Sequence, residues 1–470
     1  MNEELPKGWA QAPISRVAII NPRHPKDLQD TLEVSFAPMA CLSESSPAME
    51  RLAHRPLGQV RTGFTHFAEG DVLFAKITPC MENGKGAVAV GLMNGLGCGT
   101  TELHVLRPTK AIEATFLYHF THQRSFRKRA EARFTGSAGQ ARVPVAFFDE
   151  VEIPIPPMAE QRRIVAKLEA LLAKVDASRK RLGRLPLILK RFRQAVLAAA
   201  CDGRLTEDWR IERHQDAVGD EGLPEGWHQV NVGMLLKSLK YGTAAKCDYS
   251  QKGVAVLRIP NVSEGRIDTT DLKFADLSAK EIAALSLVVG DILMIRSNGS
   301  VSLVGRTALV EEHHQGLAYA GYLIRLRPNQ EAVNSRFLNL ALSSFNVRLK
   351  IELEARSTSG VNNLNSEEVR ELEILLPSLE EQSEIVHRVN DLFALADQIE
   401  ARYTKVKAQV DRLTPSVLAK AFRGELVPQD PGDEPATTLL ERMRTAQSAS
   451  VSTVGSIRKP RRRATHGHPA

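Results

Sequence analysis

The chain repeats itself. Leu-Pro-Lys-Gly-Trp at 5–9 returns as Leu-Pro-Glu-Gly-Trp at 223–227. Gly70-Asp71-Val72-Leu73 returns as Gly290-Asp291-Ile292-Leu293, and Glu160-Gln161 as Glu381-Gln382. Val196-Leu197-Ala198 with Gly203 and Leu205 returns as Val417-Leu418-Ala419 with Gly424 and Leu426. The pairs Trp9/Trp227, Gly70/Gly290, Gln161/Gln382 and Gly203/Gly424 are 218, 220, 221 and 221 residues apart, so the register hardly drifts. Such a period lies far outside the roughly 20–50 residues of solenoids and propellers. It describes two copies of a globular domain followed by a helix, a pseudo-two-fold layout that does one thing at two places.

Single cores rarely grow beyond roughly 250–300 residues, so 470 residues imply more than one domain. Hydrophobic residues at 43% and charged ones at 25% suit a folded chain. Cys41, Cys80, Cys98, Cys201 and Cys247 contain no C-x-x-C pair. That argues against a disulfide framework or zinc site and fits a reducing cytoplasm, the expected location. Met1-Asn2-Glu3-Glu4 is acidic and no apolar stretch of signal-peptide type follows. No run nears the ~18 apolar residues of a membrane span, so no membrane partner is expected. The net charge of +7 permits a nucleic-acid partner but is shared by many unrelated proteins.

The pattern divides the chain into a globular domain at 1–155, a helical region at 156–206, a linker at 207–222, a second domain at 223–376 and a second helical region at 377–428. A basic tail at 429–470, largely disordered, follows; within it one short helix is expected near Leu439 to Met443. Both domains mix short β-like runs (Asp71 to Ile77, Asp291 to Arg296) with short helical patches (Phe116 to Phe126, Phe337 to Leu349), an α+β composition. Each ends in a proline-punctuated strand, Val151 to Pro157 or Leu372 to Pro377, and a long helix starts.

In the first helix Ile164, Leu168, Leu171, Val175, Ser178, Leu182, Leu185, Leu189, Phe192, Val196 and Ala199 alternate in steps of four and three. In the second, Ile385, Val389, Leu392, Ala396, Ile399, Tyr403, Val406, Val410, Leu413 and Val417 do the same. This is the 3.5-residue period of a coiled-coil seam. One such stripe equally describes a helix buried inside a domain. Two matched stripes of roughly 40 residues, about 60 Å each at 1.5 Å per residue, most simply pack on each other, antiparallel by the pseudo-symmetry. Pro186 and Pro415 are expected to kink or interrupt them, and Gly203 and Gly424 to end them.

A search for catalytic signatures returns little. There is no G-x-x-x-x-G-K-[ST] phosphate loop, no H-E-x-x-H and no G-x-S-x-G elbow, and no Asn-Pro-Pro-aromatic tetrapeptide of the amino-methylating kind. His313-His314 and His466-Gly467-His468 lie in polar loop or tail contexts, read as exposed rather than metal-binding. No catalytic residue, cofactor site or metal site is assigned to this chain.

The strand ends carry binder-type loops instead. The first domain offers Lys76, Thr78, Asn83, Lys85, Arg133, Gln140 and Arg142; the second Arg258, Asn261, Arg296, Asn298, Arg356, Asn362 and Asn363. Arg and Lys pair with guanine or with phosphate, Asn and Gln two-pronged with adenine, and neighbouring glycines allow close backbone approach. Any one such loop also reads as a solvated surface turn. Recurrence at matching offsets with unlike side chains points to two readers of different sequence. Half-sites one turn apart lie roughly 34–36 Å from each other, within reach of a helix pair of that length.

With these stretches assembled, the chain resembles the specificity subunit of a type I restriction–modification enzyme of the enteric kind. Ile153-Pro154-Ile155-Pro156-Pro157 with Ala159-Glu160-Gln161, Leu189 to Leu197, Gly203-Arg204-Leu205-Thr206 and Ser416 to Leu426 carry the resemblance, which runs from Leu5 to about Met443. It implies two target-recognition domains joined by two long antiparallel coiled-coil helices. Each domain would read one half of an asymmetric, gapped target in double-stranded DNA. The helices would set the gap and dock two methyltransferase (modification) subunits, onto which motor–nuclease (restriction) subunits assemble. S-adenosylmethionine, ATP and magnesium would belong to those partners. The chain would serve DNA modification and defence against foreign DNA without catalysis of its own. Three rivals remain: a fused methyltransferase–specificity chain, a scaffold without DNA readout, and an independent transcription factor.

Overall fold

Val72-Leu73-Phe74-Ala75 and Ile292-Leu293-Met294-Ile295 are apolar at every position, as a strand must be when both of its faces are covered. In the computed structural model, which describes residues 5–137, 140–213, 222–263, 265–354 and 362–455, all eight side chains are buried. Alternate residues of each strand enter two cores: Val72 and Phe74 one, Leu73 and Ala75 another; Ile292 and Met294 one, Leu293 and Ile295 another. The chain forms two compact units, one from Met1–Arg181 with Val406–Ala470, the other from Leu182–Lys405. Unit boundaries thus fall inside the long helices.

In the first unit Val72–Ala75 lies in an antiparallel sheet of order Ala18–Ile20, Leu103–Pro108, Val72–Ala75, Gly86–Val88. A second sheet runs Ala53–Pro56, Glu33–Ala37, Leu96–Gly99, Thr65–Ala68, its middle pair parallel. The second unit repeats this as Leu236–Tyr241, Leu323–Pro328, Ile292–Ile295, Thr307–Leu309, beside Lys273–Ala275, Val254–Leu257, Ala318–Tyr319 with the last pair parallel. Before its central strand the second unit has helix Ala279–Leu285, where the first unit has helix Leu57–Val60 followed by strand Thr65–Ala68. The α+β duplication is therefore topological as well as sequential.

The duplicated Gly-Asp motif is architectural. Asp71 accepts from the Ala68 amide and holds Arg107 in a two-pronged pair at 2.8 Å; Asp291 accepts from Val288 and holds Arg327 likewise at 2.7 Å. The Leu-Pro-x-Gly-Trp motif meets the helix-closing glycines. Gly424 (φ 74°) packs so closely on Pro6 that a Cβ would sit 2.6 Å from its Cγ, and Gly203 (φ 83°) is matched by Pro224 at 2.8 Å. Both glycines take the left-handed conformation that ends a helix and that other residues resist.

The first long helix is two, Met158–Leu182 and Leu185–Cys201, with Pro186 in the first turn of the second, where its missing N–H costs no bond. The second, Leu379–Phe422, is not interrupted at Pro415 and runs on as helix through it, with Val410 and Leu418 buried on either side of the proline. In the first unit Ile164 and Leu168 share a core with Leu418, Ala421 and Phe422, while Arg179 meets Asp411 at 3.3 Å. In the second, Arg193 reaches Asp397 and Glu400, both at 2.8 Å, and Arg388 reaches the Leu205 carbonyl. In each unit one segment's numbers rise as the other's fall, so each pair is antiparallel.

The seam is less uniform than its period. Ile164, Leu168, Val175, Ile385 and Val389 are buried, whereas Leu171, Leu182, Leu392 and Ile399 are half-buried. Val406 is exposed, a correction to its place in the seam, and Ala200 rather than Ala199 is buried. Toward Ala200 the helix packs on the Ser335–Leu342 and Phe345–Glu354 helices of the globular part, so tertiary packing replaces the heptad. The tail is also corrected in part: Ala436–Gly455 is helical, Ala436 is buried with its N–H on the Gly8 carbonyl, and Leu439, Leu440 and Met443 pack on the core. The basic cluster at 458–463 lies outside the described residues.

Candidate nucleic-acid interface

Loops far apart in sequence meet at the end of each central strand. In the first unit the Val143 amide donates to the Lys76 carbonyl, Thr78 to Ala141, and Thr135 pairs with Arg142. In the second, the Leu364 amide donates to the Arg296 carbonyl, and Ser297–Asn298 pairs with Asn362–Asn363. The two junctions coincide in topology: Lys76/Val143 and Arg296/Leu364 are matched bonds at the repeat's own spacing. Sequence reading singled out each loop separately; the fold joins them in pairs.

The candidates differ in how far their side chains are engaged. Arg142 makes a two-pronged pair with Glu102 at 2.8 and 2.9 Å, which holds the Glu102 carboxyl below the usual range and raises the guanidinium. Thr78 donates to Glu82, Asn83 to Glu44, and Arg133 pairs with Glu150. Gln140 is exposed, and Lys76 and Lys85 are half-buried without an ion pair among the described residues. Arg296 lies 4.3 Å from the Tyr241 ring centre and donates to Asn363 Oδ1. Asn298 Oδ1 accepts from Ser300, and Asn362 Nδ2 donates to the Asn298 and Gly299 carbonyls. Arg356 lies outside the described residues.

Asn261 is a correction. It is 1% exposed; its amide donates to the Asp268 and Asp271 carbonyls, and its oxygen accepts from the Arg258 amide. Arg258 is turned onto Asp271. An asparagine that binds three backbone groups holds a turn together and leaves little for a ligand.

Sequence reading passed over the exposed tyrosines Tyr241, Tyr249 and Tyr322 of the second unit. Tyr241 and Tyr322 each adjoin a glycine, and Tyr322 lends its carbonyl to the Arg296 amide. An aromatic beside glycine in a polar stretch was the available signal. Among the described residues no group of three or more His, Cys, Asp or Glu is placed to hold a metal, and no helix is long and apolar enough to cross a membrane.

Comparison with known proteins agrees with this layout. Residues 45–186 and 224–408 match the family described as type I restriction modification DNA specificity domain, once per repeat. The chain is 38% identical over 374 residues to the type I restriction enzyme EcoKI specificity subunit of Escherichia coli K12, covering 78% of this chain and 77% of that one. It is 35% identical over 364 residues to the StySPI specificity subunit of Salmonella potsdam, covering 76% and 75%. Among solved structures, one described under complex assembly and conformational transition of the type I R-M system superposes with a TM-score of 0.69 at 20% identity, over 90% of this chain and all of that one. The HsdS subunit of Thermoanaerobacter tengcongensis gives 0.61 at 19% identity, over 90% and 99%. At those identities the structures speak for the fold.

Proposed function

The chain belongs to the type I restriction modification DNA specificity family, and we propose that its two units read the two halves of one asymmetric, gapped sequence in double-stranded DNA. The observation that carries this reading is the matched loop junction. One topology presents Lys76, Asn83, Lys85 and Gln140 in the first unit and Arg296, Asn298, Asn362 and Asn363 in the second. A conserved frame with exchanged side chains is what reading two different half-sites requires.

In this reading the helices set the gap between half-sites and dock two methyltransferase subunits, and motor–nuclease subunits join them in the full complex. The chain performs no chemistry of its own. S-adenosylmethionine, ATP and magnesium reside on the partners, and the assembly works in the cytoplasm. The test is expression of the chain with its methyltransferase subunit, followed by long-read mapping of methylated adenines. A two-part, gapped motif is expected, and exchanging residues 76–86 alters one part alone. A single continuous motif, or adenine methylation indifferent to this chain, refutes the proposal.

A further inference from the structure

Behind each loop junction one arginine is repeated. Arg127, on helix Arg124–Glu131, donates to the Glu82 carbonyl at 3.0 Å, and Arg348, on helix Phe345–Glu354, donates to the Val304 carbonyl at 2.5 Å. Each lies over a glycine of positive φ. A Cβ on Gly84 would meet Arg127 Nη1 at 2.5 Å, and one on Gly305 would meet Arg348 Nη1 at 2.8 Å. Burial lowers the pKa of both guanidiniums, as befits groups packed into the fold. The helix behind the loop is therefore locked to it in both units.

The surface around this clamp is not repeated. One residue after the clamp stands Lys128 in the first unit and Leu349 in the second; three residues before it stand Arg124 and Phe345. Arg124 and Lys128, like Phe345 and Leu349, are four apart and so neighbour each other on the helix surface, and Arg124 and Phe345 lie three residues from the clamp. Arg124 and Lys128 are exposed and carry no ion pair among the described residues. Phe345 and Leu349 are exposed too, at 70% and 45%. The nearby carboxylates Glu44 and Glu82 are held by Asn83 and Thr78 on the loop.

We propose that Arg124 and Lys128 grip the phosphate backbone beside the half-site read by the first unit, and that the second unit lacks this grip. The inference rests on the DNA-reading function proposed above. Two unpaired cations on a rigid helix, tied to the reading loop through Arg127, contact phosphates without reading bases. The two halves of the target are then held unequally: the first by charge together with base contacts, the second with less help from charge.

The experiment uses the chain assembled with its methyltransferase subunits and a duplex carrying the target mapped from methylated adenines. Binding is measured across a salt series. Arg124→Gln with Lys128→Gln makes log K against log salt shallower by about 2, at about 0.9 per lost phosphate contact, and weakens matched and mismatched duplexes alike. Phe345→Arg with Leu349→Lys steepens it by about the same amount. All four residues are exposed, and a matched thermal melt verifies folding. Unchanged slopes in both variants overturn the grip while leaving sequence reading intact. A parent assembly without sequence preference removes the reading and the grip together.

Discussion

Trp9 donates its indole N–H to Glu160 across 3.1 Å, tying the first copy of the Leu-Pro-x-Gly-Trp motif to the start of the long helix. Trp227 and Glu381 repeat the bond at 2.9 Å, but their surroundings differ. Glu381 also receives Thr206 and the buried Arg210, whereas Glu160 Oε1 is buried without a hydrogen-bond partner. Replacing Glu381 strands a buried arginine, so Glu381→Ala is expected to destabilise by about 3–5 kcal/mol in denaturant melts.

Glu160 is expected to tolerate neutralisation. Burial raises its carboxyl above the usual range, so its ionisation opposes folding, and stability falls as pH rises through that raised value. Glu160→Gln keeps an acceptor for Trp9 and removes this pH dependence. The check is the difference between variant and parent in urea unfolding at pH 4 to 7, in which the shared histidine contribution cancels: the variant gains on the parent as pH rises through the raised window. A loss in the variant as large as that of Glu381→Ala contradicts the asymmetry.

Acid sensitivity is expected to concentrate in the first unit. Burial pushes His104, His119 and His122 down to about 4, so they stay neutral when folded. Stability is then fully present above the free-histidine value near ~6.5 and is lost as pH falls from there toward 4, by on the order of 1–3 kcal/mol per residue. Hydrogen-exchange mass spectrometry at pH 7 and pH 5 should show protection lost around Ala114–Thr121 before Ser335–Leu342. The reverse order counts against this account.

Gln140→Ala and Asn363→Ala are expected to weaken recognition of opposite half-sites, each by about 1–3 kcal/mol if the contact is two-pronged. Competition binding with duplexes altered in one half at a time separates the two. Equal effects on both halves would be inconsistent with one reader per unit.

The helices are expected to set the gap. Arg179 faces Asp411 at 3.3 Å, so removing residues 176–179 and 411–414 together takes one turn from both partners and keeps their register. A turn is about 5.4 Å and a base pair about 3.4 Å, so the methylated motif should lose about one to two base pairs from its gap. Genome-wide mapping of methylated adenines reads this directly, and an unchanged gap excludes the helices as the ruler.

Much of this molecule was legible without coordinates. The repeat spacing, the α+β composition, the β-like runs at Val72 and Ile292, the helical period and the terminal glycines are local patterns, each visible in a short stretch of chain. They determined that there are two like units and that long helices follow each globular part. Tertiary structure decided which polar side chains remain available. Arg142 is paired with Glu102, 40 residues away, Asn362 with the Asn298 carbonyl, 64 away, and Asn261 is enclosed in its own turn. It also decided that Val406 is exposed, that Pro415 leaves the helix unbroken, and that Ala436 is covered. A periodic apolar pattern is a property of one segment, whereas burial and hydrogen-bond partnership belong to pairs of segments that meet only when the chain has folded.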